Sequence, residues 1–151
     1  MVESLVLPNE LLLAKAAQAV AEGKTAVIPV KGNSMDPFIR GGRDKVELYP
    51  PAALQIGDVV LAKINPKQYM LHRIIRFQGE EGVVLMGDGN VRNTEYCRRR
   101  DVLAQAKVVI IGTSGKRRRL DSARMKAAAS LWRKLLPVRG FLLRVYRRFR
   151  R

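Results

Sequence analysis

The sequence contains a single cysteine, and this scarcity excludes two kinds of architecture. Cys97 cannot form a disulfide within the chain, and it has no neighbouring thiol or histidine with which to build a metal site. Because it lies in the segment Glu-Tyr-Cys-Arg-Arg-Arg, we interpret it as a packed or surface thiol rather than a nucleophile. We therefore expect no bound metal and no cofactor, and a chain compatible with a reducing compartment.

Long apolar runs are also missing. The first residues, Met-Val-Glu-Ser, lead to Leu11 without the basic flank and apolar stretch of a secretory signal peptide. Elsewhere, charged residues interrupt every apolar stretch before the roughly 20 residues that a transmembrane helix requires. The sequence predicts a cytoplasmic protein, with peripheral attachment to the inner face of the membrane as the alternative.

Acidic residues are scarce in one part of the chain only. Residues 116–151 contain fourteen Lys or Arg and one acid, Asp121, so this segment carries +13 of the formal net charge of +16. The preceding 115 residues are close to neutral. Any attraction of this protein to nucleic acid or to an anionic membrane therefore belongs to the C-terminal segment.

The hydrophobic pattern divides the chain into three parts. Apolar residues at helical spacing between Leu11 and Val20 predict a short helix within residues 1–25. Over residues 26–115, short runs of β-branched and aromatic residues alternate with turns rich in glycine and proline, which predicts a mainly β domain built of hairpins. Residues 112–119 are interpreted as a solvated connector.

Residues 116–151 are predicted to form a basic amphipathic helical tail, interrupted at Pro137. Its second half places apolar residues at helical spacing and arginines largely on the opposite side; the apolar set is Val138, Phe141, Leu142, Val145 and Phe149. Three roles remain open. The tail lies on an anionic membrane surface, or its apolar residues cover the β domain while the arginines stay in solvent, or it binds nucleic acid, for which no recognisable module is present.

Ser34 and His72 are the residues best suited to covalent chemistry. A serine hydroxyl attacks an amide only when a base removes its proton, and His72 is the single histidine of the chain. A histidine side chain, with an ordinary pKa of about 6.5, suits this task. Gly32 and Pro37 are expected to hold Ser34 in a sharp turn whose backbone N–H groups can stabilise an oxyanion.

Four segments in order resemble the signal peptidase and LexA-type (S24/S26) serine peptidase superfamily, and most closely its Ser/His signal peptidase branch. They are Gly-Asn-Ser-Met-Asp-Pro at 32–37, Gly-Asp-Val-Val at 57–60, His-Arg-Ile at 72–74 and Gly-Asp-Gly-Asn at 87–90. The resemblance covers residues 26–111. It implies a LexA-like β domain and a Ser34–His72 pair supported by an acid, for which Asp88 ranks slightly ahead of Glu95 and Asp101 is third.

The resemblance implies a serine endopeptidase that cleaves a peptide or protein substrate, including signal-like or leader-like peptides. The chain departs from signal peptidases in having no predicted membrane span, and the 33 residues before Ser34 are too few for the DNA-binding domain of a LexA-type repressor. Because every proposed catalytic residue precedes residue 116, the site should not require the tail. The alternative is a non-catalytic or self-cleaving regulatory protein of the same fold, whose basic tail docks on membrane, nucleic acid or a partner.

Overall fold

The computed structural model describes residues 9–150. The first eight residues, which bear on the prediction that no signal peptide is present, lie outside this range. The described elements are α1 (Asn9–Ala21), β1 (Ala26–Pro29), β2 (Lys45–Tyr49), β3 (Val59–Asn65), β4 (Gln68–Gln78), β5 (Gly82–Met86), β6 (Glu95–Arg98), β7 (Val102–Ile110), β8 (Arg117–Arg119), α2 (Ala123–Lys134) and α3 (Leu136–Phe149). The prediction of a mainly β fold with helices at both ends is confirmed.

The eight strands form one antiparallel sheet with the order β1-β2-β7-β3-β4-β5-β6, and β8 pairs with β7. The long strand β4 changes partner along its length. Its residues 68–73 pair with β3, whereas residues 73–78 pair with β5. The first half of β4 therefore keeps one edge without a paired strand, and β1 lies at the end of the strand order.

The sheet buries apolar side chains on both of its faces. Helix α1 covers one face with Leu13, Ala16, Ala17 and Val20, which recur at the spacing of a single helix side. Along β3, Leu61 belongs to this cluster, whereas its neighbour Val60 belongs to a second cluster. Successive side chains of a strand point to opposite faces, so the apolar run of β3 supplies both cores.

The predicted connector at residues 112–119 contains a strand. Arg117, Arg118 and Arg119 form β8, which pairs with Ile110, Val109 and Val108 of β7. Their side chains are exposed, and Arg117 forms an ion pair with Glu47 of β2. A run of basic residues carries no strand signal of its own. Here backbone pairing with β7 and the carboxylate of Glu47 hold it in the sheet.

The tail is helical, and the break between α2 and α3 lies close to Pro137, where the sequence predicts an interruption. Ser122 caps α2 by accepting a hydrogen bond from the amide of Met125 at 3.2 Å. Pro137 stands in the first turn of α3, where its missing N–H group removes no helical hydrogen bond. Among residues 9–150, no helix combines the length and the apolar character that crossing a bilayer requires.

The helices of the tail contact the sheet domain in an unexpected orientation. Trp132, Arg139 and Leu143 are buried, whereas Val138 and Phe141 are exposed. Apolar residues of the tail therefore cover the β domain only in part: on α3 the side that carries Arg139 and Leu143 faces the domain, whereas Val138 and Phe141 face solvent. The physical reason is a set of buried acceptors on the sheet domain, described below, that the arginines reach.

Candidate active site

Ser34 lies in a tight turn that follows β1. Gly32 has a φ of +76°, which residues with a side chain rarely adopt, and Asp36 donates its amide to the Asn33 carbonyl at 3.2 Å. The side chain of Met35 is buried in the core and anchors the turn. In the described part of the chain, the amides of Ser34 and Met35 donate no hydrogen bond, so they are available to an incoming oxygen.

His72 lies in the first half of β4 and contacts Glu95 at the start of β6. The side chain is 6% exposed, and its Nδ1 lies 2.5 Å from Glu95 Oε1. A proton held between Nδ1 and the carboxylate leaves Nε2 as an acceptor. This is the tautomer that a general base requires.

Gly87 is the point at which Ser34 and His72 approach each other. A Cβ atom on Gly87 would overlap the carbonyl oxygen of Ser34 and would lie 3.0 Å from His72 Nε2. The turn is fixed further because Gly89 donates its amide to the Ser34 carbonyl at 2.8 Å. A glycine is therefore required at 87 for the serine turn and the imidazole to border the same space.

Asp88 does not contact His72. Its carboxylate accepts two hydrogen bonds from Arg73, at 2.8 and 2.7 Å, and Arg73 also donates to the Gly57 carbonyl at 2.8 Å. Arg73 follows His72 in β4, so its side chain leaves the opposite face of the strand. Of the two acids, Glu95 contacts His72, whereas Asp88 binds Arg73. Asp101, ranked third, accepts a hydrogen bond from the amide of Arg98 at 2.9 Å.

Asp36, two residues after Ser34, is fully buried and is held by two arginines of the tail. Arg147 Nε lies 3.1 Å from its carboxylate, and Arg150 Nη1 lies 2.9 and 3.0 Å from the two oxygens. Arg147 also donates to the Asn33 carbonyl at 3.3 Å. The sequence places these groups more than a hundred positions apart. The one signal in the sequence for this pairing is general: a carboxylate that becomes buried needs a cation as its partner.

The tail also supports the turn at residues 87–90. Trp132 Nε1 donates to the carbonyl of Asp88 at 2.8 Å, and Arg139 Nη1 donates to the carbonyl of Asn90 at 3.0 Å. Burial lowers the pKa of Arg139 from its ordinary value. Both turns that meet at Gly87 are therefore held by side chains from α2 and α3.

A cavity of about 410 Å³ adjoins these residues. Ser34, His72 and Glu95 line it, together with the end of β1, Val30 after it, and residues 68–71 from the unpaired edge of β4. The Glu10 carboxylate of α1 accepts a hydrogen bond from the Tyr69 amide at 2.8 Å and borders one side of the cavity. A cavity between the edges of two strands suits an extended peptide.

Cys97 lies outside this cavity, in the second apolar cluster. Burial, with a smaller contribution from nearby Asp101, raises the pKa of its thiol to about 11. The thiol is therefore protonated at neutral pH. Across residues 9–150 no three His, Cys, Asp or Glu side chains come together as a group that could hold a metal ion.

Neither the scan of protein-family models nor the search of curated proteins returned a match to this sequence. The residues of the site and their contacts therefore carry the assignment of function.

Proposed function

We propose that this protein is a serine endopeptidase of the signal peptidase and LexA-type superfamily, with Ser34 as nucleophile, His72 as general base and Glu95 as the acid that orients the imidazole. The observation that carries the proposal is the contact between His72 Nδ1 and Glu95, with Nε2 left beside Gly87 and the Ser34 turn. Within residues 9–150 this Nε2 forms no hydrogen bond, and a histidine in a structural role has no need of a free acceptor next to a serine in a cavity.

In the proposed reaction, His72 Nε2 takes the proton of Ser34 Oγ as this oxygen attacks the substrate carbonyl carbon. The amides of Ser34 and Met35 donate to the oxyanion of the tetrahedral intermediate. The imidazolium, stabilised by Glu95, then protonates the leaving amine and an acyl ester on Ser34 remains. Water, activated by the neutral imidazole, hydrolyses this ester and restores the serine.

The substrate class follows from the shape of the cavity. Residues 28–30 and 68–71 line it at the edges of two strands, and an extended chain placed between these edges would gain main-chain hydrogen bonds. We assign peptides or unfolded segments of proteins as substrates. A folded domain offers no extended segment of this kind unless a loop protrudes.

The LexA-like fold belongs to the same proposal. The four segments on which the resemblance rests occupy the turn after β1, the entry to β3, the middle of β4 and the turn after β5. They are distant in sequence, and the contacts of Arg73 with both Gly57 and Asp88 join three of them. Such a meeting of separate segments supports a common site.

A second candidate is a regulatory protein of the same fold that cleaves only itself or has no catalytic turnover. One observation favours it: within residues 9–150, Ser34 Oγ forms no hydrogen bond with His72. In peptidases such hydrogen bonds often form only when substrate is bound. An experiment is therefore needed to distinguish the peptidase from the regulatory protein.

The deciding experiment is labelling by a fluorophosphonate, which reacts covalently with activated serines. We expect the full chain to be labelled at Ser34, and Ser34→Ala and His72→Ala to abolish labelling. Ser114→Ala, at an exposed serine remote from the cavity, is the matched control and should label as the parent does. Equal labelling of a folded Ser34→Ala variant would refute the proposal, and a folded parent without labelling would favour the regulatory candidate.

A further inference from the structure

Helix α3 presents an apolar surface to solvent. Val138, Phe141, Val145 and Phe149, which we call the apolar stripe, follow each other at helical spacing and are 48, 62, 40 and 78% exposed. Single exposed apolar residues are ordinary on a protein surface. A continuous row that includes two phenylalanines marks a surface that another apolar phase covers.

The contacts of the opposite side of α3 fix this orientation. Arg139, Arg147 and Arg150 reach Asn90, Asn33 and the buried carboxylate of Asp36. A rotation of α3 that buried the apolar stripe against the sheet would withdraw Arg147 and Arg150 and leave Asp36 buried without a partner. The exposure of the stripe is therefore a consequence of the same ion pairs that support the Ser34 turn.

The charges beside the stripe select the kind of partner. Arg144 and Arg148 lie one turn apart on α3 and are exposed, and the chain has no acid after Asp121. A second copy docked through the same surface would bring these arginines together without a neutralising carboxylate. Nucleic acid supplies phosphates but no apolar phase for the phenylalanines. An anionic bilayer supplies both.

We propose that α3 docks on an anionic membrane surface, with the apolar stripe inserted at the level of the upper acyl chains and with Arg144 and Arg148 among the lipid phosphates. Where the proposed peptidase function holds, docking has a consequence for substrate choice. Because Arg147 and Arg150 of this helix hold the Ser34 turn, the active site is carried at the bilayer surface. Its substrates are then extended segments of membrane-attached peptides or proteins.

The test is co-sedimentation of the full chain with vesicles. One preparation is phosphatidylcholine alone, and the other contains about 30% phosphatidylglycerol, which makes its surface anionic. We expect binding to the anionic vesicles that weakens as salt rises, because screening reduces the attraction to phosphate. Phe141→Ser with Phe149→Ser should weaken it at least about tenfold, since each phenylalanine loses its apolar burial. Arg144→Gln with Arg148→Gln should weaken it and flatten its salt dependence.

Ile56→Ser with Tyr96→Ser provides the matched control, because it removes two exposed apolar residues of the sheet domain. This variant, and Ser34→Ala, should bind vesicles as the parent does, so a failure of the peptidase proposal leaves the result unchanged. Unaltered vesicle binding by the folded Phe141→Ser, Phe149→Ser variant would overturn the proposal. So would a parent that ignores vesicles, whether it dimerises through the stripe or binds only an oligonucleotide.

Discussion

Glu95 and Asp88 bind consecutive residues of β4, and we expect their roles to differ accordingly. Glu95→Gln keeps the size of the side chain but removes the negative charge beside His72 Nδ1. Loss of an orienting carboxylate lowers kcat by about 10⁴-fold in serine peptidases, because the tautomer is lost and the imidazolium is no longer stabilised. We expect a loss of this order in the rate of Ser34 labelling and of peptide cleavage, with little change in Tm.

Asp88→Asn is the control for this prediction. It removes one charge of a buried ion pair and leaves the Arg73 guanidinium unneutralised, which destabilises the folded state by about 3 to 5 kcal/mol. The free energy of unfolding should therefore fall, while the fraction of the variant that remains folded keeps the contact between His72 and Glu95. The reverse pattern, with Asp88→Asn catalytically dead at full stability, would assign the orienting role to Asp88.

Cys97 gives a prediction with a defined pH range. Burial raises the pKa of its thiol from 9.0 to about 11 in the folded protein. The folded state thus keeps a proton that the unfolded state loses first, and the stability that this confers is complete below pH 9 and is lost as the pH rises towards 11. At pH 8, we expect alkylation by iodoacetamide to be about two orders of magnitude slower than in the denatured chain.

Cys97→Ser should remove the part of the alkaline destabilisation that falls between pH 9 and 11. Denaturant unfolding at successive pH values, compared between parent and variant, provides the measurement. Rapid alkylation of the native parent at pH 8 would show that the thiol is accessible and ionised, contrary to its burial beside Val60 and Ile74.

At the scale of elements, Arg147 of α3 and Arg150, which follows the last residue of that helix, hold the turn that carries Ser34. Replacing both by Gln leaves the Asp36 carboxylate buried without a cation, so the turn that carries Ser34 must rearrange. We expect kcat for a short peptide to fall by about one to two orders of magnitude with a smaller change in KM, because positioning rather than binding is lost. Steady-state kinetics separates the two constants.

Arg144→Gln with Arg148→Gln removes the same charge from the exposed side of the same helix and should leave these constants unchanged. Lysine at 147 and 150 should restore part of the rate, since the charge returns without the planar guanidinium. A truncation before residue 116 should also lose activity, although every proposed catalytic residue remains. Full activity in the Arg147→Gln, Arg150→Gln variant would mean that α3 does not position Ser34.

The elements that carry apolar signals could be predicted from the sequence, and those that lack them could not. The runs of β-branched and aromatic residues at 59–64 and 69–77 predict strands, and the observed β3 ends one residue later while β4 extends one residue further at each end. By contrast, Glu95–Arg98 and Arg117–Arg119 have no run of β-branched residues and become strands through pairing with β5 and β7. This explains the ranking of the acids, because Glu95 reaches His72 only when β6 is in register with β5.

The tail shows a second limit. Its helices and their interruption near Pro137 follow from local spacing, but the side of α3 that faces the domain does not. An amphipathic pattern favours burial of the apolar side. Here the opposite side faces the domain, because arginines on it donate to the buried carboxylate of Asp36 and to the carbonyls of Asn33 and Asn90. Such buried acceptors are created by the fold and have no local signal in the sequence.

For the molecule as a whole, the site joins distant parts of the chain: Glu10 from the first helix, Ser34 and His72 from the sheet domain, and Arg147 from the last helix. Since the same last helix presents the apolar stripe, membrane docking and catalysis are expected to be coupled through proximity. A bound enzyme meets a membrane-tethered substrate at a much higher effective concentration than a free one.

This coupling predicts that the parent cleaves a peptide tethered to anionic vesicles with a kcat/KM about 10- to 100-fold above that for the same peptide free in solution. The Phe141→Ser, Phe149→Ser variant should lose this advantage and keep its activity on the free peptide, because the contacts of Arg147 and Arg150 with Asp36 are intact. Cleavage of both substrates by both proteins, measured at one lipid concentration, gives the four rates needed. Activity of the parent on the free peptide establishes the peptidase independently of the membrane. If the two proteins then showed the same ratio of tethered to free cleavage, the apolar stripe would have no part in bringing the site to its substrate.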